Sequence, residues 1–263
     1  MQISPRTALL VIDVQNDFTP GGQLAVPEGD LIVPLINRLS GLFKQVIIAQ
    51  DWHPSGHASF ASSHPGRKPY EVIQLPYGEQ TLWPDHCIQG SHGAQFHPQL
   101  NIAHAHLIVR KGGNRQVDSY SAFTEADQHT PTGLAGNLRE RGVDTLFVCG
   151  LALDFCVAWT ALDAKRLGFE TYVVEDATRA IDLNGSLDAA WKNMKAKGVK
   201  RIQSSDIDVD TLHQGYLRAA RRAGATLACD TPVTALERGT AGWWVQAGGS
   251  VLAVSTKAAT GTG

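Results

Sequence analysis

The chain has 263 residues, with 25 acidic and 23 basic side chains and a formal charge of −2. That length allows one good-sized domain or a domain with an appendage. The near-neutral balance leaves no basic footprint for nucleic acid and no Lys/Arg run for an anionic membrane surface. No apolar stretch reaches the roughly 18 residues needed to span a bilayer. The start, Met1-Gln2-Ile3-Ser4-Pro5-Arg6, has no cationic region followed by a small-residue cleavage site, so no signal peptide is expected. Cys87, Cys149, Cys156 and Cys229 stand at irregular distances and do not read as a disulfide framework. A reducing cytoplasm is the expected location.

In chain order, Thr7–Val14 carries ALLVIDV, a continuous apolar run ending in an acid and suited to a strand buried on both faces of a parallel sheet. Similar runs follow at Val46–Ala49, His106–Val109, Thr145–Cys149 and Thr171–Val174. Helical patterns fit between them over Leu31–Phe43, Gly133–Arg141, Asp154–Leu167 and Ser186–Lys197, with Gly142 and Gly168 where helices should stop. This alternation predicts a doubly wound, three-layer α/β sandwich around a mostly parallel central sheet. In such sheets function gathers at the carboxyl ends of the strands. The segment Ile47–Gln99 breaks the rhythm with many His, Pro and Gly residues and no long periodic element; its His, Asp and Trp content favours a functional insertion. After about Asp208 the character changes again. His213–Ala223 is a short helix pattern, followed by hairpin-like segments (TLACD, TPVTALE, GWWVQA, VLAV) and a small-residue tail, Ala258–Gly263. A boundary near Ser205 is expected, with a C-terminal α+β appendage beyond it.

Cys156 lies where a strand gives way to a helix. A thiol in the first helical turn feels the positive end of the macrodipole, which lowers its pKa, and backbone N–H groups of that turn can hold an oxyanion. A packed core cysteine is the competing reading. Asp13 ends the first buried strand and Lys111 ends the HLIVR strand before Gly112-Gly113, although a turn acid and a solvated lysine are the ordinary alternatives. Together the three strand ends supply an acid, an ammonium and a thiol, a set in which the lysine stabilises a thiolate and the acid accepts the thiol proton. Asp51-Trp52-His53 follows the second strand, and Asp-x-His lets two short side chains converge on one ion. A third ligand from a distant loop would complete the set. Trp83-Pro84-Asp85-His86-Cys87 lies in the same insertion. His57 stays open as an extra ligand, His64, His92 and His97 are expected at the surface, and Cys87, Cys149 and Cys229 are expected to be structural.

With these residues assembled, the sequence resembles the nicotinamidase/pyrazinamidase branch of the isochorismatase-like hydrolases from Ala8 to about Asp206. The agreeing stretches are Val11-Ile12-Asp13-Val14-Gln15-Asn16-Asp17-Phe18, Gly21–Val26, Gln50–Pro54, Trp83–Cys87, Lys111-Gly112, Asp118–Phe123, and Gly150–Ala152 with Asp154–Val157. The resemblance implies a triad of Asp13, Lys111 and Cys156 and one divalent metal ion (Zn, Fe or Mn) held by Asp51, His53 and His86. It also implies a cis peptide between Leu151 and Ala152, with the N–H groups of Ala152 and Cys156 forming an oxyanion hole. Phe18 and Trp83 would grip a flat pyridine ring. The implied reaction is hydrolysis of nicotinamide to nicotinate and ammonia through a Cys156 thioester, in NAD salvage. A different small-amide hydrolase or a silent binding member of the family are the alternatives.

The C-terminal stretch His213–Ala225, continuing through Pro232–Leu236 and Gly242–Val245, resembles part of the substrate region of FAD-dependent amino-acid oxidases. No strand–Gly-x-Gly-x-x-Gly–helix unit accompanies it, so no flavin is expected. Residues 207–263 are expected to be a non-catalytic extension serving as a packing or oligomer contact, which leaves a homo-oligomer open. Residues 1–206 are expected to form the hydrolase domain.

Overall fold

The computed structural model describes residues 3–207, 221–222, 224, 233–239, 242–247 and 250–255. It divides into two compact units, Met1–Val209 and Asp210–Gly263. In chain order the first unit runs β1 (Thr7–Ile12), α1 (Val33–Ser40), β2 (Val46–Asp51), β3 (Val72–Leu75), β4 (Gly78–Thr81), β5 (Leu107–Lys111) and α2 (Leu134–Glu140). It continues through β6 (Thr145–Gly150), α3 (Ala158–Arg166), β7 (Glu170–Thr178), α4 (Ser186–Ala196) and β8 (Lys200–Ile202). Six strands form one wholly parallel sheet in the order β5-β2-β1-β6-β7-β8.

Sequence alternation explains the layers. On β1, Ala8, Leu10 and Ile12 face one side with Leu138, Val157, Ala161 and Met194 from the helices α2, α3 and α4 and the turn before α3. Leu9 and Val11 face the other side with Val33, Ile36 and Leu39 of α1 and with Leu24 and Trp83 from the loops. Both faces are covered, so the strand reads as an unbroken apolar run. Each fully buried Leu, Ile or Val contributes about 1.5–3 kcal/mol of transfer free energy. The chain winds outward from β1 through β2 to β5, then returns to the opposite side of β1 with β6. The reversal lies between β1 and β6, and a crevice opens at the carboxyl ends of the strands at such a point.

The structure sharpens several boundaries. The first strand stops at Ile12 because Asp13 turns the chain with φ 49°. The helix expected over Leu31–Phe43 is a 3-10 turn, Gly29–Ile32, followed by α1, with Pro34 near the helix start, where its missing N–H costs nothing. The helix expected from Asp154 begins as a wide π turn, Leu153–Val157, before α3. The short edge strand β8 and the β3–β4 hairpin inside the insertion carried too few residues to show a period.

In the second unit β9 (Val233–Gly239), β10 (Gly242–Ala247) and β11 (Ser250–Ser255) form an antiparallel sheet in the order β11-β10-β9. Of the helix expected over His213–Ala223, only Arg221 and Arg222 are described, and both are helical. The TLACD segment with Cys229, and the tail Ala258–Gly263, lie outside the described residues. No helix among the described residues is long and apolar enough to cross a membrane.

At Gly150 the end of β6 presses on β1. Its φ is +114°, and a Cβ there would stand 2.1 Å from the Ile12 carbonyl oxygen. Gly150→Ala is therefore expected to destabilise the unit by about 2–5 kcal/mol through strain and overpacking, measured by urea unfolding. A loss under about 0.5 kcal/mol would contradict this packing.

Candidate active site

Four strand ends converge at the crevice. Asp13 follows β1, Asp51 ends β2, Lys111 ends β5, and Cys156 lies in the turn after β6. Asp51 and Lys111 are paired in register, so their side chains leave the sheet side by side. Lys111 is 2% exposed and Asp13 is fully buried. The Lys111 Nζ lies 2.9 Å from Asp13 Oδ2, 2.9 Å from Asp51 Oδ1 and 3.5 Å from Cys156 Sγ, and it donates to the Ser119 carbonyl at 2.9 Å. One ammonium with three protons thus serves four neighbours. The contact with Asp13 is an ion pair by distance, while neither Asp13 oxygen receives a well-directed hydrogen bond. That carboxylate keeps free acceptor capacity in a dry site, as a proton acceptor requires.

Burial dominates the titration behaviour. It raises Asp13 to about 6, against the pull of Lys111. Burial would also raise Asp51, but His53 and Lys111 outweigh it and hold that carboxyl well below its usual range. Burial works against the Lys111 charge, yet Asp13 and Asp51 push its pKa well up, so the ammonium persists. Burial pushes the Cys156 thiol well above the ordinary cysteine range, with Lys111 opposing. The lowered thiol pKa expected at a helix start is corrected here. Cys156 is buried within a π turn, and desolvation of a thiolate exceeds the helix-end attraction. The resting side chain is a neutral thiol beside a base.

Asp51, His53 and His86 bring ligand atoms within 4.8 Å of one another, all buried. His53 Nδ1 faces the Gly112 carbonyl at 3.0 Å and His86 Nδ1 faces the Pro84 carbonyl at 2.8 Å. These carbonyls call for N–H on Nδ1, which leaves the Nε2 atoms toward Asp51 Oδ2 at 3.0 and 3.4 Å. Two imidazole nitrogens and a carboxylate oxygen facing one another, beside the excess negative charge of Asp13 and Asp51 over Lys111, suit a cation. The set fits a transition-metal ion. Gly112 is needed for this approach, since a Cβ there would meet His53 Cε1 at 2.4 Å.

His57 does not join that group. Its Nδ1 pairs with Ser59 Oγ at 2.7 Å and its Nε2 with the Asn114 and Val117 carbonyls at 2.9 and 3.2 Å, so both ring nitrogens are occupied, and the ring packs 4.3 Å from that of His53. Burial, with the neighbouring His53 charge, lowers its pKa to about 4. His57 also lies within reach of His53 and Asp118 as a second set of donors, but its own hydrogen bonds turn it away from that use. His92 is exposed as expected. His64 and His97 are only half-buried rather than fully at the surface, each tied to a neighbouring backbone group. Cys87 and Cys149 are buried free thiols.

The space before Cys156 is walled by Phe18, Leu24, Trp83, Tyr120, Phe155 and Ile181, with Asp51 and His86 also reaching it. It amounts to about 20 Å³, on the scale of one water at roughly 10–15 Å³ each, so a ring would enter only as these walls part. A larger groove of about 630 Å³ between α3 and α4 includes Ser186, whose hydroxyl donates to Asp154 Oδ2 at 2.5 Å, but neither Cys156 nor the Lys111 cluster lines it. Trp83 meets the Phe155 ring edge-on at 4.9 Å and donates its Nε1–H to the Tyr120 hydroxyl at 2.9 Å. The peptide between Leu151 and Ala152 is cis. The Ala152 N–H donates to no group among the described residues. Leu151 contributes that cis peptide as expected; its own N–H goes to the Ile12 carbonyl at 2.8 Å and its side chain packs in the core, away from the space before Cys156. Sequence reasoning passed over Leu24, Tyr120, Phe155, Ile181 and the buried Gln80, which donates to Asp118 Oδ2 at 2.7 Å. Tyr120 and Phe155 stood inside quoted motifs. Leu24 stood inside another, while Ile181 and Gln80 had no local signal.

Removing the shared cation isolates two buried carboxylates. Lys111→Met is expected to cost about 3–5 kcal/mol of stability at pH 7, read from urea unfolding, whereas a cost under 1 kcal/mol would mean that the ammonium is not what holds Asp13 and Asp51 together.

The isochorismatase domain model matches residues 7–206. A nicotinamidase of Acinetobacter baylyi (strain ATCC 33305 / BD413 / ADP1) is 57% identical over 207 residues, covering 79% of this chain and 97% of that protein. Among solved structures, a nicotinamidase/pyrazinamidase of Acinetobacter baumanii is 60% identical with a TM-score of 0.77, covering 77% of this chain and 98% of the other. PnC1 from L. infantum in complex with nicotinate is 39% identical with a TM-score of 0.70, covering 79% and 98%. The family match spans the sheet and all of its strand ends, and the chain belongs to the isochorismatase family.

Proposed function

We infer that the protein is a metal-dependent nicotinamidase, hydrolysing nicotinamide to nicotinate and ammonia and acting also on pyrazinamide, in NAD salvage. The observation that carries this reading is the single Lys111 ammonium 2.9 Å from Asp13 and 3.5 Å from Cys156, beside a three-donor cluster that shares Asp51 with it.

Asp13 takes the Cys156 proton as Sγ attacks the amide carbon. Lys111 remains charged and offsets the negative charge gathering on sulfur. The N–H groups of Ala152 and Cys156 receive the tetrahedral oxygen. As the C–N bond breaks, Asp13 passes its proton to the leaving nitrogen, which departs as ammonia and leaves the acyl group on Sγ. Asp13, ionised again, takes a proton from water as its oxygen attacks the thioester carbon; the C–S bond breaks, nicotinate leaves, and the thiol regains its proton. Phe18 and Trp83 grip the ring. Asp51, His53 and His86 would hold a divalent transition-metal ion (Zn, Fe or Mn), which when bound supplies a Lewis-acid contact for the pyridine nitrogen. No flavin has a part in this reading.

Residues 1–206 form the whole catalytic domain in this proposal, working in the cytoplasm. Residues 207–263, resembling a fragment of an FAD-dependent oxidase, are a non-catalytic extension. A chain ending at residue 209, which keeps the buried Ile207, is then expected to fold and release ammonia within about twofold of the full chain, and loss of folding or turnover would show instead that the extension is integral.

The function itself is tested by ammonia release from nicotinamide. The full chain is expected to show turnover that rises with pH through a midpoint near 6, where Asp13 ionises and becomes able to accept a proton. Cys156→Ala is expected to lower the rate by at least about 10³-fold. Undiminished ammonia release by that variant would end the proposed mechanism.

A further inference from the structure

Gln15 lies beside the site but has no part in the chemistry above. It is fully buried. The sheet explains why a polar residue belongs there. Along β2, alternate residues turn their N–H and C=O toward β1. Gln45 and Ala49 do so, their carbonyls accepting the Leu9 and Asp13 N–H groups at 2.9 and 3.3 Å. Asp51 is next in that alternation, but β1 has ended at Ile12 and left the sheet at Asp13. No β1 backbone remains for Asp51.

The Gln15 carboxamide fills that place. Its Oε1 accepts the Asp51 N–H at 2.8 Å, and its Nε2–H donates back to the Asp51 carbonyl at 2.8 Å. The remaining amide proton goes to the Ala94 carbonyl at 2.9 Å, with Cys87 Sγ 3.4 Å from Nε2. Cys87 directly follows His86 in the chain. A side chain thus acts as one more peptide unit of β1, tying the Asp51 backbone to the loop next to His86. Gln15 is also two residues from Asp13, and its own N–H donates to the Asp13 carbonyl at 2.9 Å.

We propose that Gln15 is the positioning residue of the metal site: its carboxamide completes the β1–β2 ladder and holds Asp51 where it meets both Lys111 and the two histidines. This rests on the reading of Asp51, His53 and His86 as metal ligands. Removing an outer partner of a ligand costs about 10–100-fold in metal affinity. A merely structural glutamine would lower stability and leave the affinity of the folded protein alone. Gln45 provides that contrast, being a glutamine at the other end of β2 that donates to the Pro5 carbonyl at 3.1 Å.

The experiment measures Zn²⁺ affinity of the full chain by competition with a chromophoric chelator, for the parent, Gln15→Met, Gln15→Asn, Gln45→Met and Asp51→Asn. Gln15→Met is expected to bind zinc 10–100-fold more weakly, Gln15→Asn to fall between it and the parent, and Gln45→Met to match the parent. Should Gln15→Met fail to fold, Gln15→Asn, which keeps the amide but shortens its reach, decides the matter. Parental affinity in the folded Gln15 variants, with zinc binding lost in Asp51→Asn, would overturn the positioning role alone. Parental affinity in Asp51→Asn would overturn the metal-site reading and this inference with it.

Discussion

The site depends on one buried ammonium. Lys111 holds two carboxylates and a thiol within reach of a single charged atom, in a space closed to water. Two carboxylates this close and this dry repel strongly, and a charge taken out of water is tolerated only with close, well-formed partners. The rest of the unit can be understood as what brings those groups together. In-register pairing of β2 and β5 sets Asp51 beside Lys111. The left-handed turn at Asp13 lifts a carboxylate off the sheet, and Gly150, packed against Ile12, lets the chain after β6 pass close enough to deliver Cys156.

The same arrangement explains how a buried thiol can be the proposed nucleophile. A thiolate already formed in the resting enzyme would have to be stabilised in a dry pocket against two nearby carboxylates. The protein instead keeps the thiol neutral and places beside it an acid raised to about 6, a value suited to accepting and returning a proton near neutral pH. Lys111 supplies the compensating charge during transfer. Asp51 joins the two halves of the site, with one oxygen on Lys111 and the other facing His53 and His86. The donor cluster and the thiol therefore feel each other through one carboxylate and one ammonium.

Much of this was legible in the primary structure. Unbroken apolar runs at β1, β2 and β6 announced strands buried on both faces, and their placement between helical stretches announced a parallel α/β sandwich. Residues at the ends of those runs carried the chemistry: Asp13, Asp51 and Lys111. Cys156 was marked by its strand-to-helix junction. Weak elements were not legible. β8 has three residues and the β3–β4 hairpin has four in each strand, too short for a period to stand out. His57 illustrates another limit, because its spacing from His53 suits a ligand while its hydrogen bonds to Asn114 and Val117 are made with residues far along the chain.

The amino-acid order by itself determined which strands are central and which side-chain types stand at their ends, since burial on both faces and alternation along a strand are local properties. It also determined the donor types available to a metal, through Asp51, His53 and His86. Tertiary structure decided which groups meet and in what protonation state. The pKa of Cys156 follows from enclosure by distant segments, and Leu151 is withdrawn from the cavity by a hydrogen bond to Ile12, 139 positions earlier. Gln15 shows the division most clearly: its type was plain in the chain, but its use as a substitute peptide exists only because β1 ends two residues before the strand beside it needs a partner.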